Sequence, residues 1–306
     1  MAYYVMRRLL LLPVILLGIT AVAFSLMYLI PGDPAALMAG PEANQEEIEA
    51  LRVRLGLDRP PILRYLEYVW RAAHFDLGTS LRTREPVIHA IMARLPNTLM
   101  LAGIAISLSV FFGILAGVVA AIKHQTAVDD VVMVLSLLGV STPAYWLALM
   151  LMLLFAVQLG WLPVAGKGDW RYAVLPSLTL AARATGEIAR MSRADMLEVL
   201  REDYLRTARA KGLAEWTVIS SHALKNALIP TITVIGLRFG GLLGGTVLTE
   251  TIFAWPGVGR LVVDAIAMRD FPMVQGAVLV IAANFVLVNL AVDLAYGLLD
   301  PRIRYR

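Results

Sequence analysis

Apolar residues in this chain fall in long unbroken runs rather than in stripes. Six runs stand out, at roughly 9–30, 97–122, 131–158, 172–190, 227–249 and 273–299. An α-helix rises about 1.5 Å per residue, so about 20 apolar residues cross a hydrocarbon core of about 30 Å. A soluble surface helix keeps a polar face, and these runs do not. They also lack the period-2 alternation of a barrel strand. The pattern predicts an all-α polytopic membrane protein with six transmembrane helices. In the third run, Ser141-Thr142-Pro143 removes a backbone donor and predicts a kinked or divided helix.

Between the runs the pattern changes to helical periodicity. EEIEALRVRLGL and PPILRYLEYVWRAAHF, separated by Asp58-Arg59-Pro60-Pro61, predict two short helices packed on the outer face. AWPGVGRLVVDAI predicts a Pro-Gly turn followed by a short amphipathic helix. The resulting division is a first transmembrane helix (1–30), an external helical segment (31–96) and a five-helix core (97–306).

Charge sets the expected orientation. The N-terminal tail carries Arg7 and Arg8 without an acid, the C-terminal DPRIRYR carries three Arg, and 190–229 holds seven Lys or Arg. By the positive-inside rule all three are cytoplasmic, which an even number of spans allows. The 31–96 segment has eight Arg against nine acids, and a loop of that length translocates regardless of charge. The net charge of +4 therefore reads as topology and not as affinity for nucleic acid. Arg7-Arg8 followed by an apolar run resembles a signal peptide. The run is too long for that and a turn, PGDPA, replaces a small-residue cleavage site, so it reads as an uncleaved span.

Several chemistries find no support. With no cysteine there is no disulfide framework, thiolate nucleophile or Cys-ligated metal, and no metal site is expected. GWLPVAGKG at 160–168 approaches a phosphate-binding loop, but Gly168 replaces Ser/Thr and Trp161 stands where the first glycine belongs. An intramembrane hydrolase would need a base beside Ser141, whereas His74, His89, His124 and His222 all lie outside the runs. A secondary transporter driven by an ion gradient would carry buried acids at mid-span and internal repeats; only Glu187 and Asp293 come near, and no repeat is visible.

The stretch DYLRTARAKGL at 203–213 is charged and ends in glycine. Leu197, Leu200, Tyr204 and Ala208 recur at spacings of three and four, the stripe of one helix, with Arg201, Arg206 and Arg209 pointing elsewhere. Gly212 suits a left-handed C′ position, with Leu213 as the apolar residue after it. AEWTVISSHALKNAL then leads back to Pro230 and the fifth run, so this loop reads as helix, glycine turn and helix. Taken alone, it can also be an interfacial helix lying on anionic lipid. His222 reads as a packed or hydrogen-bonded loop residue.

This loop resembles the cytoplasmic loop of permease subunits of ATP-binding-cassette (ABC) importers, which has a glycine followed about eighteen residues later by a proline, here Gly212 and Pro230. The family's Glu-Ala-Ala motif aligns with Arg206, Thr207 and Ala208, of which only the second alanine is kept. That departure is similar to the peptide branch, with its YxRTARAKGL and HALKNALIP. MRRLLLL…LIPGDPA, RLPNTL, STPAYW, LGWLP, LPSLTL, GGLLGG, WPGVGRL, MRDFP and DPRIRY extend the resemblance to the dipeptide/oligopeptide/nickel permease family over essentially the whole chain. AGPEA and MRDFP are similar to its glutathione-importer branch. The resemblance implies a type I ABC importer permease fold and a non-catalytic translocation subunit of the inner membrane. It implies a second homologous permease, two nucleotide-binding ATPase subunits that bind ATP and Mg, and an extracytoplasmic substrate-binding protein. The coupling loop is then about 192–226, its ATPase contact formed by Tyr204, Arg206, Thr207, Ala208, Arg209, Ala210, Lys211, Gly212 and Leu213. Small Thr207, Ala208 and Ala210 allow close approach, and Arg206, Arg209 and Lys211 are available for acidic groups. The outer segments 31–96 and 250–271 are expected to receive the binding protein. Dipeptide, oligopeptide, glutathione and nickel chelate remain open as cargo.

Charged groups within the runs cannot face lipid, because one at mid-bilayer costs about 2.5–3.5 kcal/mol. Arg238, Arg183, Glu187 and Asn284 are candidates for the translocation path. Arg183 and Glu187 are also spaced for a purely structural i,i+4 pair. The family position of Arg238 more often resembles a neutral Gln. Gly240/Gly244 and Gly241/Gly245 form a doubled small-xxx-small pattern, suited to contacts within the chain or with a partner permease. Asn284, Asn289 and Asp293 mark buried faces of the last run.

Overall fold

The computed structural model describes residues 2–29, 34–40, 43–54 and 56–299. Residues 31–33 of the PGDPA turn, part of AGPEA, the DPRIRYR tail and the side chains of Arg238 and Asp293 lie outside the described residues. In chain order the first helices are α1 (Ala2–Leu29), α2 (Pro34–Ala39), α3 (Gln45–Arg54), α4 (Pro61–Ala73) and α5 (Val87–Met92). They are followed by α6 (Leu95–Ile122), α7 (Ala127–Ser141), α8 (Ala144–Leu151) and α9 (Arg171–Val199). The last are α10 (Asp203–Ala210), α11 (Glu215–Thr217), α12 (Leu224–Ile252), α13 (Val258–Ala267) and α14 (Phe271–Leu299). Among the described residues, helices are joined only by turns and one isolated bridge, Thr79 with Pro86. In lipid no water replaces a missing backbone partner, so each apolar run closes its hydrogen bonds on itself.

Contacts divide the chain into two units, Met1–Thr98 with Pro256–Leu287, and Leu99–Trp255 with Val288–Arg306. The first has a core of Val87 and Ile91 from α5, Val258 and Leu261 from α13, and Met273 and Ala277 from α14. Asp270, 3% exposed, is its polar hinge. The Ser80 hydroxyl donates to its carboxylate, as do the backbone N–H groups of Leu81 and Met273, each at 3.3 Å. Arg82 Nε donates to the Met268 carbonyl at 2.8 Å. The two outer segments are therefore interlocked. α4 lies against α1, where the Tyr65 hydroxyl donates to the Leu17 carbonyl at 2.9 Å.

In the second unit α9 packs along α7 and α12. Glycines bring backbones into direct contact: a Cβ at Gly117 of α6 would lie 2.5 Å from the Ala189 carbonyl oxygen, and Gly139 of α7 faces the Ala182 carbonyl in the same way. The third run is divided as its proline predicts, α7 and α8 meeting at 108° across Thr142-Pro143. A π-helical stretch, Met152–Gln158, continues α8. By length and apolarity among the described residues, Val87–Ile122 and Phe271–Val292 each suffice to cross a membrane, and the bent pair adds a third if counted as one span. In α1 the apolar stretch is Leu10–Ser25, and Arg183, Glu187 and Arg190 interrupt α9.

Candidate functional site

The 203–213 stretch forms α10 and its terminus. Glu202 is extended, so α9 ends before it and α10 begins anew at Asp203. This break corrects the expected stripe. A continuous helix would bury Tyr204; instead Leu205 is fully buried and Tyr204 is 40% exposed. Leu205 and Ala208 join Met196 of α9, Val218, Ile219, and Ala227 of α12 in one apolar cluster. Burial of Leu205 alone is worth about 2 kcal/mol, enough to seat a two-turn helix that would not persist by itself.

The end of α10 is fixed by its glycine. Gly212 has φ +78°, a left-handed conformation that an L side chain resists. Its N–H donates to the Arg209 carbonyl at 2.9 Å, and the Leu213 N–H donates to the Ala208 carbonyl at 3.4 Å. This paired closure is the Schellman pattern. The chain then turns into α11 and a π-helical turn, Val218–Ala223, before α12.

Two polar braces hold the turn. Arg209 Nη2 lies 2.7 Å from Glu215 Oε1, and Arg209 Nε lies 3.1 Å from Glu215 Oε2. The Arg209 guanidinium holds the Glu215 carboxyl below its ordinary range. Arg209 is thus engaged within the chain, which corrects its expected availability to a partner. Arg206 keeps only a long, solvent-exposed pair with Asp203. On the other side, Asn226 Nδ2 donates to the Tyr204 hydroxyl at 2.7 Å. His222, exposed in the π-helical turn, contributes its backbone carbonyl to Asn226 at 3.3 Å. Thr207, Ala210 and Lys211 remain exposed.

Above the loop, α9 is tied to both neighbours. Arg193 grips Asp129 of α7 with two bonds of 2.6 and 2.7 Å, and His124 Nδ1 lies 3.1 Å from the same carboxylate. The buried Asp195 accepts from Thr231 of α12 at 2.9 Å. Sequence reading missed both ties, since partners 64 and 36 residues apart leave no local periodicity.

The candidate path residues fall in both units. Arg183 Nε lies 3.2 Å from Glu187 Oε1, the i,i+4 pair, with the Arg183 side chain 70% exposed. Arg183 also lines a small cavity of about 150 Å³ beside the Thr142-Pro143 break. Asn284, in the first unit, donates to the Val280 carbonyl at 2.9 Å. The doubled glycine pattern resolves into different faces. A Cβ at Gly240 would come within 2.5 Å of Asn289 Oδ1, whereas Cβ atoms at Gly241 and Gly244 would meet nothing within 4 Å. Gly245 faces Leu180 at 3.8 Å.

Comparison with known proteins identifies the chain's family. Residues 113–305 match the binding-protein-dependent transport system inner membrane component family, and residues 1–102 match the N-terminal family of such membrane components. The chain is 44% identical over its full length to the whole glutathione transport system permease protein GsiC of Escherichia coli O6:H1. It is 43% identical to that of Escherichia coli K12 and 44% to that of Salmonella typhi, again over both full lengths. Among solved structures, an inward-facing MetNI methionine ABC transporter aligns with a TM-score of 0.59 at 18% identity, over 70% of this chain and 97% of that one. The chain belongs to the family of inner membrane permease components of binding-protein-dependent, ATP-driven importers.

Proposed function

We propose that this chain moves peptide-class cargo, of the glutathione or short-peptide kind, across the inner membrane under the drive of ATPase partners. It works beside a second homologous permease, with two ATPase subunits that bind ATP and Mg inside and a substrate-binding protein outside. Both termini are cytoplasmic, and the interlocked outer segments 31–96 and 250–271 face the binding protein. α10 is the ATPase contact, with Arg206, Thr207, Ala210 and Lys211 on the surface offered to it. Gly241 and Gly244 supply a close-contact face for the second permease. Arg183, Glu187, Asn284 and Arg238 belong to the translocation path, where a guanidinium attracts a peptide carboxylate.

The observation that carries this reading is the rigid presentation of α10. Its apolar face is buried, its C-terminus is closed by Gly212, and it is braced by Arg209–Glu215 and Tyr204–Asn226. A helix held on three sides cannot yield locally, so a push on it displaces α9 and α12. The assignment of cargo is supported by full-length similarity to permeases named for glutathione transport.

The test is purification of the tagged chain from its native membranes, followed by uptake in liposomes. Co-purification of a second permease and ATPase subunits, their loss in Gly212→Asp, and ATP-dependent uptake of glutathione or dipeptides are expected. A chain that purifies alone and transports on an ion gradient overturns the proposal.

A further inference from the structure

α4 is turned inside out for a helix in water. At 100° per residue, Ile62, Leu63, Leu66 and Trp70 fall within one arc of about 100°. All four are exposed, Leu66 at 56% and Trp70 at 69%. The opposite arc carries Arg64, Tyr68 and Arg71, which line a cavity of about 310 Å³ together with Asp76 and Gln275. Polar groups thus face the unit's own cavity, and the apolar arc faces away from the protein.

Its depth is fixed by α1. The Tyr65 hydroxyl donates to the Leu17 carbonyl at 2.9 Å and lies 3.1 Å from the Thr20 hydroxyl. Both positions are in the middle of the apolar stretch Leu10–Ser25. α1 continues to Leu29, about 18 Å further along its axis at 1.5 Å per residue. Half a hydrocarbon core is about 15 Å. Val14, Leu17 and Val22 of α1 are themselves exposed at this level. A soluble partner cannot reach a surface at that depth.

We propose that α4 is embedded in the membrane, with its Leu63–Leu66–Trp70 face in contact with lipid acyl chains. Lipid contact follows from the depth on α1; its placement in the outer leaflet rests on the orientation proposed above. A helix at that depth must keep its polar face out of the acyl chains. Here the polar face is turned to the cavity. The platform offered to the binding protein is then narrower than 31–96 and excludes α4.

The chain has no cysteine, so a single introduced cysteine is unique in it, and labelling is read against the cysteine-free chain assembled with the same partners. Leu66→Cys and Asp58→Cys, in the assembled transporter in liposomes, are treated with a membrane-impermeant maleimide. They are also labelled with bimane in liposomes containing doxyl-chain lipids. The expected result is at least tenfold slower modification at Leu66→Cys than at Asp58→Cys, and bimane quenching by doxyl lipid at the first site only. Equal modification, or shielding of Leu66→Cys only after binding protein is added, overturns the proposal and in the second case gives this face to that protein. Ile62→Cys serves in the same way if Leu66→Cys does not assemble. ATP-driven uptake by the same liposomes tests the transport proposal separately.

Discussion

Replacing Gly212 isolates the value of one backbone conformation. Its φ of +78° lies in the left-handed region, and a Cβ there meets nothing within 4 Å. Alanine therefore adds conformational strain without a clash, at about 1–2 kcal/mol. Asparagine, which visits this region through local hydrogen bonding, adds less. If ATPase partners read the angle set at this turn, that strain subtracts from their binding, by about 5–30-fold for alanine. Titrating the ATPase subunits onto the permease in nanodiscs, with ATP hydrolysis as readout, gives the affinity. The thermal midpoint of the permease alone shows whether the chain itself is intact. The expected order of affinity is glycine, then asparagine, then alanine. Alanine equal to glycine, or asparagine weaker than alanine, would refute the claim that the left-handed turn controls the contact.

Asp129→Asn should strand the Arg193 guanidinium and destabilise the chain by up to about 3 kcal/mol, seen as a lower thermal midpoint; Asp129→Asn with Arg193→Met should recover part of that loss. Glu215 has a carboxyl held below its ordinary range, so its brace is present at neutral pH and is lost as pH falls through that lowered value. Proteolytic nicking of the 209–215 turn should accordingly increase below about pH 4.5, and Glu215→Gln should make nicking independent of pH there. Gly240→Val should lower stability of the isolated chain, because a side chain meets Asn289, whereas Gly241→Val should leave it unchanged and weaken recovery of the second permease. Fluorescence-detected gel filtration separates those two outcomes.

How much of this was legible in sequence depended on the range of the signal. The Pro143 break and the helices at 61–73 and 258–267 follow from local pattern, because proline, Pro-Gly turns and 3.6-residue periodicity act within a few residues. Gly212 was legible for the same reason. The stripe through Tyr204 was not, because a single extended residue, Glu202, resets the helical phase and moves Leu205 inward. Nothing at 200–202 resembles a helix stop in composition. Arg209 was read as available because Glu215 lies beyond the turn, on another helix. The exposed apolar arc of α4 was present in the sequence, but its depth depends on where Tyr65 meets α1, 48 residues earlier.

If α10 is the ATPase contact proposed above, the ties around α9 determine how a push there spreads. Leu205 and Ala208 seat α10 on the end of α9 and the start of α12, so these three elements move together. One turn higher, Arg193 and Asp195 sit two residues apart on α9 and reach opposite neighbours, Asp129 of α7 and Thr231 of α12. Glycine contacts at Gly117 and Gly139 leave no space into which α9 could slide sideways. The 108° junction at Thr142-Pro143, where the helix ladder is broken, lies outside these ties. Arg183 lines the cavity at that junction. On the coupling proposed above, a displacement that starts at α10 and finds α7 and α12 fixed to α9 has the α7–α8 junction as a place of relief, beside the candidate path.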